Sequence, residues 1–412
     1  MPDAPDMVDT SPAVRLEDLL PLPYQQALAA HLQANEPELW RWAASAEARE
    51  EHAAAVRADL LRNSYRLDAD AHPELHAHCN AAAHRMGIAA RVTLYQAGDG
   101  TMNATLYFLP GEAHIVLSGP LMERLQGPEL EAVLGHELAH YLLWERDGGR
   151  YHVVDRILQA AAADVRADAS HLHAARRYGL YTEAFADRGA CIACEALEPA
   201  VTALVKVQTG LAQVNAASYL RQADEICAAP ELQTRGTSHP EIFVRARALR
   251  LWTERQPEAD DWLAGALEGP LDIATLDLLG QQRADALTRE TIAQLLQRPF
   301  LQSESLLAHA RRFFPNFAPP AGPMPPPAPV PAGVRDYLAS VLVDFVAADP
   351  DLDDITLAAA IGLAEAMGCA AQLEERVVKD MRLPKRSLTR VKRDAATLLE
   401  KAAAQHLQGA SA

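Results

Sequence analysis

The sequence predicts a mainly α-helical protein with one small β-sheet and a separate helical domain at its C-terminal end. Three observations support this fold class. Ala-rich segments with apolar residues at helical spacing dominate the chain, a pattern typical of amphipathic helices. Short β-prone runs occur only within residues 91–118, and a Pro-rich tract precedes the last part of the chain. A chain of 412 residues has room for two or three domains.

The first two regions carry the predicted helices and the predicted sheet. Residues 1–90 are predicted to be helical and to pack on the region that follows. Residues 91–252 are predicted to form a core domain that starts with the sheet. Its β-prone runs are residues 92–95, 104–108 and 115–117, with Gly-containing turns between them.

The C-terminal part is predicted to be organised around the Pro-rich tract. Residues 253–312 form a predicted helical extension, and residues 313–334 a predicted linker. Nine prolines lie between residues 315 and 331, and such a tract favours an extended, semi-rigid spacer. Four of the five lysines follow it. This shift in composition predicts a separate helical module at residues 335–412.

Charge and composition exclude several classes of function. The chain carries 38 Lys and Arg against 55 Asp and Glu, a net charge of −17, so it repels phosphate backbones and we expect no nucleic-acid partner. No charge-free run of 18 residues lies outside the Pro-rich tract, so we expect no membrane span. The start of the chain lacks a targeting-peptide pattern, and the five cysteines are scattered. We therefore expect a reduced, cytoplasmic protein.

Residues 136–140, His-Glu-Leu-Ala-His, carry the clearest chemical pattern in the chain. Pro128 and the acidic residues after it suit the first turn of a helix that contains the motif. On a helix, His136 and His140 are neighbours at positions i and i+4, so their imidazoles can bind one Zn²⁺ ion. Glu137 stands beside the ion and remains free to act as a base. The alternative is a chance match on a buried amphipathic helix.

A catalytic zinc ion usually has three protein ligands, so a third ligand is needed. Glu183 is the best candidate, because it lies on a predicted helix on which Glu183 and Asp187 share a face. Glu183 would bind the metal, while Asp187 would orient a ligand imidazole. The alternative for this pair is a solvated acidic face.

Three motifs occur in an order that resembles a known family. They are the helix of residues 136–140, the Glu-x-x-Ala-Asp stretch at 183–187 and the Ser-His-Pro stretch at 238–240, which continues to Arg245. Together they resemble the zinc metallopeptidases of the CAAX prenyl protease and HtpX-like family. Residues 103–104, 109–111 and 115–121 also look like the stretch before that family's active-site helix. The resemblance covers about residues 91–252 and implies a gluzincin-type domain with one Zn²⁺ per chain.

The resemblance implies a role for each matching residue. His136, His140 and Glu183 would be zinc ligands, Glu137 the general base, and Asp187 a second-sphere support. His239 would either stabilise the oxyanion or bind the metal as a fourth ligand. Arg245 would be structural or would pair with an acidic group near the site, for which Asp187 is the candidate.

These roles predict a metalloendopeptidase that hydrolyses proteins or peptides. Zinc would polarise the scissile carbonyl and activate water, and Glu137 would transfer the protons. Residues 112–118, if they form a sheet edge, would pair with an extended substrate, aided by Asn103 and Ala104. The best-known relatives are usually embedded in membranes, but nothing between His140 and Glu183 can span a bilayer, so we expect a soluble member. The competing class is a latent or inactive peptidase fold that acts as a chaperone or scaffold.

The C-terminal module has a weaker resemblance. Residues 337–388 resemble the helical TerB-like domains of tellurite resistance, on the basis of Asp344, the acidic cluster at 349–354, Leu383 and residues 385–386. The resemblance implies a module that acts in stress responses and can bind metal, and we expect it to recruit a protein partner or to sense a condition. The alternative is a helical interaction module with a solvated acidic rim.

Overall fold

The computed structural model describes residues 14–98, 100–228, 234 and 239–410, apart from the side chains of residues 46–52 and 409–410. Residues 1–13 of the predicted N-terminal region, Ser238 of the His-Pro motif and residues 411–412 of the predicted tail lie outside this description. The chain divides into two compact units, Met1–Gly269 and Pro270–Ala412.

The first unit is mainly helical and contains one sheet. Its helices and strands are α1 (Pro23–Asn35), α2 (Pro37–Ala43), α3 (Ala46–Asn63), β1 (Tyr65–Arg66), α4 (Pro73–Arg85), β2 (Arg91–Gln96), β3 (Asn103–Leu109), β4 (Glu112–Ser118), α5 (Leu121–Arg124), α6 (Pro128–Ala163), α7 (Ala169–Cys194), α8 (Leu197–Thr209), α9 (Ala216–Cys227), α10 (Ile242–Thr253) and α11 (Ala259–Glu268). The prediction of a mainly helical protein with a small sheet agrees with this architecture.

The sheet has four strands in the order β1-β2-β4-β3. Strand β4 pairs with β2 in parallel and with β3 antiparallel. The sequence analysis considered residues 112–118 as a sheet edge, and this is wrong, because β4 lies inside the sheet and β3 is an edge strand. The physical reason is burial: the five central residues of β4 are all buried, whereas β3 starts with alternating exposed and buried residues.

Helices α6 and α7 pack against each other with unusually close backbones. A Cβ atom on Gly135 of α6 would lie 2.1 Å from the Cβ of Ala193, and one on Gly189 of α7 would lie 2.3 Å from the Cβ of Ala139. Since real Cβ atoms do not approach this closely, both positions require glycine for this packing. The two glycines therefore set the distance between the helix that carries residues 136–140 and the helix that carries Glu183.

Helix α6 is interrupted in its middle. Residues 146–149 depart from helical geometry, with positive φ at Asp147, Gly148 and Gly149. Two glycines and an aspartate tolerate this left-handed backbone better than most residues. The second half of α6, residues 150–163, therefore takes a different direction from the first half.

The second unit is helical. Its helices are α12 (Leu278–Leu295), α13 (Glu304–Phe313), α14 (Ala332–Ala348), α15 (Asp353–Met367), α16 (Ala370–Lys379) and α17 (Lys385–Ala410). The predicted domain boundaries stay predictions, but this unit begins at Pro270, ahead of the Pro-rich tract. Phe317 and Val330 from that tract are buried in the core of the unit, and the Val330 N–H donates to the Met367 carbonyl. These apolar anchors hold the extended segment against helices of the same unit.

Among the described residues, no helix combines the length and the apolar character that crossing a bilayer demands.

Candidate metal centre

Three side chains from α6 and α7 converge on one point. The Nε2 atoms of His136 and His140 are 3.3 Å apart. Glu183 completes the triangle, with 3.4 Å from its Oε2 to the His136 Nε2 and 3.6 Å from its Oε1 to the His140 Nε2. In the part of the chain that the structure describes, these residues form the one group of three such side chains that could hold a metal ion.

The triangle has the dimensions that a tetrahedral zinc ion requires. Two ligand atoms at about 2.0 to 2.1 Å from a tetrahedral ion lie about 3.3 to 3.4 Å from each other, close to the three measured separations. The Oε2 atom of Glu183 is buried and accepts no hydrogen bond of good geometry, although nitrogen atoms of His136, His239 and Arg245 lie 3.4 to 3.5 Å from it. A metal ion would supply the short contact that this buried oxygen lacks. The residues therefore fit zinc.

Asp187 and Arg245 support this triangle. The His136 Nδ1 lies 3.1 Å from the Asp187 Oδ1, so the imidazole can donate to the carboxylate and direct its Nε2 to the metal position. Arg245 of α10 donates two hydrogen bonds to Asp187, from Nε at 2.7 Å and from Nη2 at 2.6 Å. The sequence analysis named Asp187 as the candidate partner of Arg245. Burial would raise the pKa of Asp187, but Arg245 and His136 lower it overall.

The two histidines differ in protonation when no metal is bound. Burial lowers the pKa of His136, but the carboxylates of Asp187 and Glu183 raise it to about 10. Burial dominates at His140 and lowers its pKa to about 4. Burial also raises the pKa of Glu183, but hydrogen bonding and charge from His136, with charge from His140 and Arg245, bring it well below its ordinary value. Binding of a metal must therefore displace a proton from His136.

Glu137 lies beside the triangle and is not part of it. Its side chain is only 6% exposed, and burial raises its pKa to about 7. The charge of His136 and, to a smaller extent, the nearby main chain of Leu106 in β3 oppose this rise. A carboxyl group with a pKa near neutrality is well matched to the exchange of protons with water.

His239 lies at the rim of the same site. Its Nε2 is 3.4 Å from the Glu183 Oε2, and its side chain is 57% exposed. The group of three candidate ligands does not include it. The structure thus brings His239 to the triangle without placing it among the candidate ligands.

A cleft of about 370 Å³ surrounds these residues and extends beyond them. Asn103 and Ala104 line it from the edge strand β3. The sequence did not identify the apolar cleft residues or four others: Trp144, Asp155, Gly179 and Thr182. Trp144 follows His140 by four residues and Gly179 precedes Glu183 by four, so helical spacing could have found these two. Asp155 follows the interruption of α6, and no sequence pattern places it near the site.

Comparison with known proteins gave one family match. Residues 69–253 match the model of Peptidase family M48. This is a zinc metallopeptidase family, so the match supports a peptidase, and the matched range contains every residue of the candidate centre. It spans less than half of the chain, and no curated protein and no solved structure matches the chain significantly.

Proposed function

We propose that this protein is a zinc-dependent endopeptidase with protein or peptide substrates. The observation that carries the proposal is the spacing of His136, His140 and Glu183, which fits one tetrahedral zinc ion, with Glu137 beside it. The family match over residues 69–253 supports the same activity. Within that family, the motifs of the first unit favour the CAAX protease and HtpX-like branch.

The chemistry follows from the residues around the metal position. His136, His140 and Glu183 would hold one zinc ion per chain. When bound, zinc supplies a Lewis acid that polarises the scissile carbonyl and lowers the pKa of the attacking water toward about 7. Glu137 accepts the proton of that water and returns it to the leaving amine, and its pKa of about 7 suits both steps.

Two further residues act through the ligands. Asp187 accepts from the His136 Nδ1 and thereby selects the tautomer whose Nε2 faces the metal. Arg245 fixes Asp187 with two hydrogen bonds. We assign both as positioning residues. We assign His239 as a donor to the oxyanion, because it lies at the exposed rim and outside the group of three candidate ligands.

The edge strand β3 is the proposed substrate-binding strand. The main-chain N–H of Leu106 lies close enough to Glu137 to lower its pKa, so it points away from β4, on the free side of the edge strand. In an antiparallel pair, residues two apart present their main-chain groups to the same side. Ala104 therefore presents its N–H and C=O along the same free edge, with Asn103 beside it, and an extended peptide can add to that edge. We also propose that residues 335–412, the TerB-like part of the second unit, bind a protein partner.

Hydrolysis of casein or of a quenched fluorescent peptide by the zinc-loaded protein tests the proposal. We expect Glu137→Gln to abolish cleavage while the protein retains one zinc ion per chain. Glu123→Gln is the matched control, since it makes the same change at an exposed position on α5, outside the cleft. If both the unaltered protein and Glu137→Gln bind zinc and neither cleaves, the scaffold interpretation replaces the enzyme.

A further inference from the structure

One carboxylate in the cleft has no role in the proposed reaction. Asp155 lies in the second half of α6 and lines the same cleft as the metal-binding triangle. The other cleft carboxylates are Glu137, Glu183 and Asp187, and the reaction accounts for each of them. Asp155 is therefore the unexplained charge at the site.

Asp155 has no cationic partner in the part of the chain that the structure describes. Its hydrogen bond comes from the exposed side chain of Gln159, whose Nε2 is 2.7 Å from the Asp155 Oδ2. Burial alone raises the pKa of Asp155, to about 7. Asp187 differs in this respect, because it is more deeply buried and holds the guanidinium of Arg245. Asp155 is thus a partly buried carboxylate in the cleft wall without a counter-charge among the described residues.

The position of Asp155 in the cleft follows from its neighbours. Burial raises the pKa of Tyr178 in α7, and the charge of Asp155 adds to this rise, so the two groups are close. Tyr178 is followed by Gly179, which lines the cleft about 6 Å along the axis of α7 from Glu183. Ala190 lines it about 10 Å from Glu183 in the other direction. Asp155 therefore lies on the Gly179 side of the metal position.

The opposite end of the cleft is apolar. It is lined by small and aliphatic side chains from α6, α7 and α8: Ala132, Val133, Ala190, Ala200, Ala203, Leu204 and Val207. A peptide that crosses the metal position along this cleft would meet an apolar wall on one side of the scissile bond and the Asp155 carboxylate on the other.

We propose that Asp155 selects substrates with an Arg or Lys side chain close to the scissile bond, on the side opposite to the residue held by the apolar end. This inference rests on the proposed function and names its substrate class. An incoming guanidinium or ammonium group supplies the missing counter-charge to a partly buried carboxylate. Hydrogen bonds to charged groups of this kind correspond to about a 10- to 100-fold change in affinity.

Peptide pairs that differ only in arginine and its neutral isostere citrulline test the inference. Each pair carries the change at one of three positions on either side of the scissile bond, in an otherwise constant apolar sequence. With the zinc-loaded protein we expect kcat/KM to favour arginine by at least about tenfold at one position. That ratio should fall close to one in Asp155→Asn and persist in the charge-preserving Asp155→Glu.

Asp147→Asn is the matched control. Asp147 is exposed, lies in the interruption of α6 outside the cleft lining, and has a positive φ that Asn tolerates. This variant removes the same charge from the same element, so it should keep the preference for arginine. An equal loss in both variants would assign the effect to net charge and overturn the role of Asp155.

The outcomes separate the inference from the proposed function. Cleavage without any preference for arginine, or a preference unchanged in Asp155→Asn, overturns the inference and leaves the peptidase intact. If no peptide is cleaved, the proposed function fails, and fluorescence anisotropy of the same labelled peptides decides the inference. The inference is supported if the arginine peptide binds more tightly than the citrulline peptide and Asp155→Asn abolishes this difference. It is overturned if the two peptides bind equally or do not bind.

Discussion

The substitution Gly135→Ala tests whether the close approach of α6 and α7 builds the metal centre. The added Cβ would lie 2.1 Å from the Cβ of Ala193, whereas carbon atoms pack at about 3.5 to 4.0 Å. The helices must therefore separate locally by about 1.4 to 1.9 Å. His136 follows directly on α6, and Glu183 is on α7. The His136–Glu183 distance of 3.4 Å would grow by a similar amount, too far for one ion to bind both residues.

We expect two consequences that can be measured separately. Overpacking of this kind costs about 1 to 3 kcal/mol, which corresponds to a fall in Tm of about 2 to 12 °C for a unit of this size. Zinc stoichiometry and affinity, measured by competition with a chromophoric chelator, should fall even where the variant is fully folded.

Gly265→Ala is the matched control for this prediction. A Cβ at Gly265 in α11 meets no atom within 4 Å, so this variant should keep its zinc and be as stable as the unaltered protein or slightly more stable. Full zinc affinity and an unchanged Tm in Gly135→Ala would refute the reasoning.

Three other predictions concern charge and metal. Burial raises the pKa of Asp155 to about 7 in the folded protein, against about 3.9 in an unfolded chain. Between these two pH values the folded state binds more protons than the unfolded state. The free energy of unfolding therefore falls as the pH rises through this window, by up to about 4 kcal/mol. Asp155→Asn should therefore raise the unfolding free energy at pH 8 but not at pH 4, and an equal gain in Asp147→Asn would contradict this. Asp187→Asn should weaken zinc binding about 10- to 100-fold in chelator competition, and unchanged affinity would exclude the positioning role. Removal of zinc with a chelator should lower the unfolding free energy by about 4 kcal/mol if free zinc was 1,000-fold above its Kd beforehand. The unfolding free energy of His140→Ala should not change when the chelator is added.

The candidate site could be read from sequence where helical periodicity is unbroken. His136 and His140 are four residues apart on one continuous stretch of α6, as are Glu183 and Asp187 on α7, so spacing alone puts each pair on one face. The contact between the two pairs depends on glycines at the interface between α6 and α7. From sequence, only the order of the family motifs suggested that the two pairs meet. Asp155 could not be placed, because the positive φ angles at 147–149 reset the direction of the helix.

The sheet and the Pro-rich tract show where local patterns were insufficient. The sequence of residues 112–118 predicts a strand but does not show whether its two edges are paired. Burial on both faces decides this, and the almost continuous apolar run is the one local feature that favours an inner strand. In the Pro-rich tract, composition predicted a linker, but Phe317 and Val330 give the segment two points of attachment to a core. Isolated apolar residues in such a tract are therefore informative about packing.

The raised pKa of Asp155 and the missing counter-charge beside it have one explanation. Asp187 and Asp155 are the same residue type and line the same cleft, but only Asp187, the more deeply buried of the two, has an arginine from the protein itself. A carboxylate that is paired with an arginine, such as Asp187, is held in a fixed position, as support of the metal centre requires. An uncompensated one lowers stability at neutral pH, and such a cost is retained where function depends on it. If the counter-charge arrives with the substrate, the stability lost in the free protein is recovered on binding. The pH dependence of unfolding and the preference for arginine should then disappear together in Asp155→Asn.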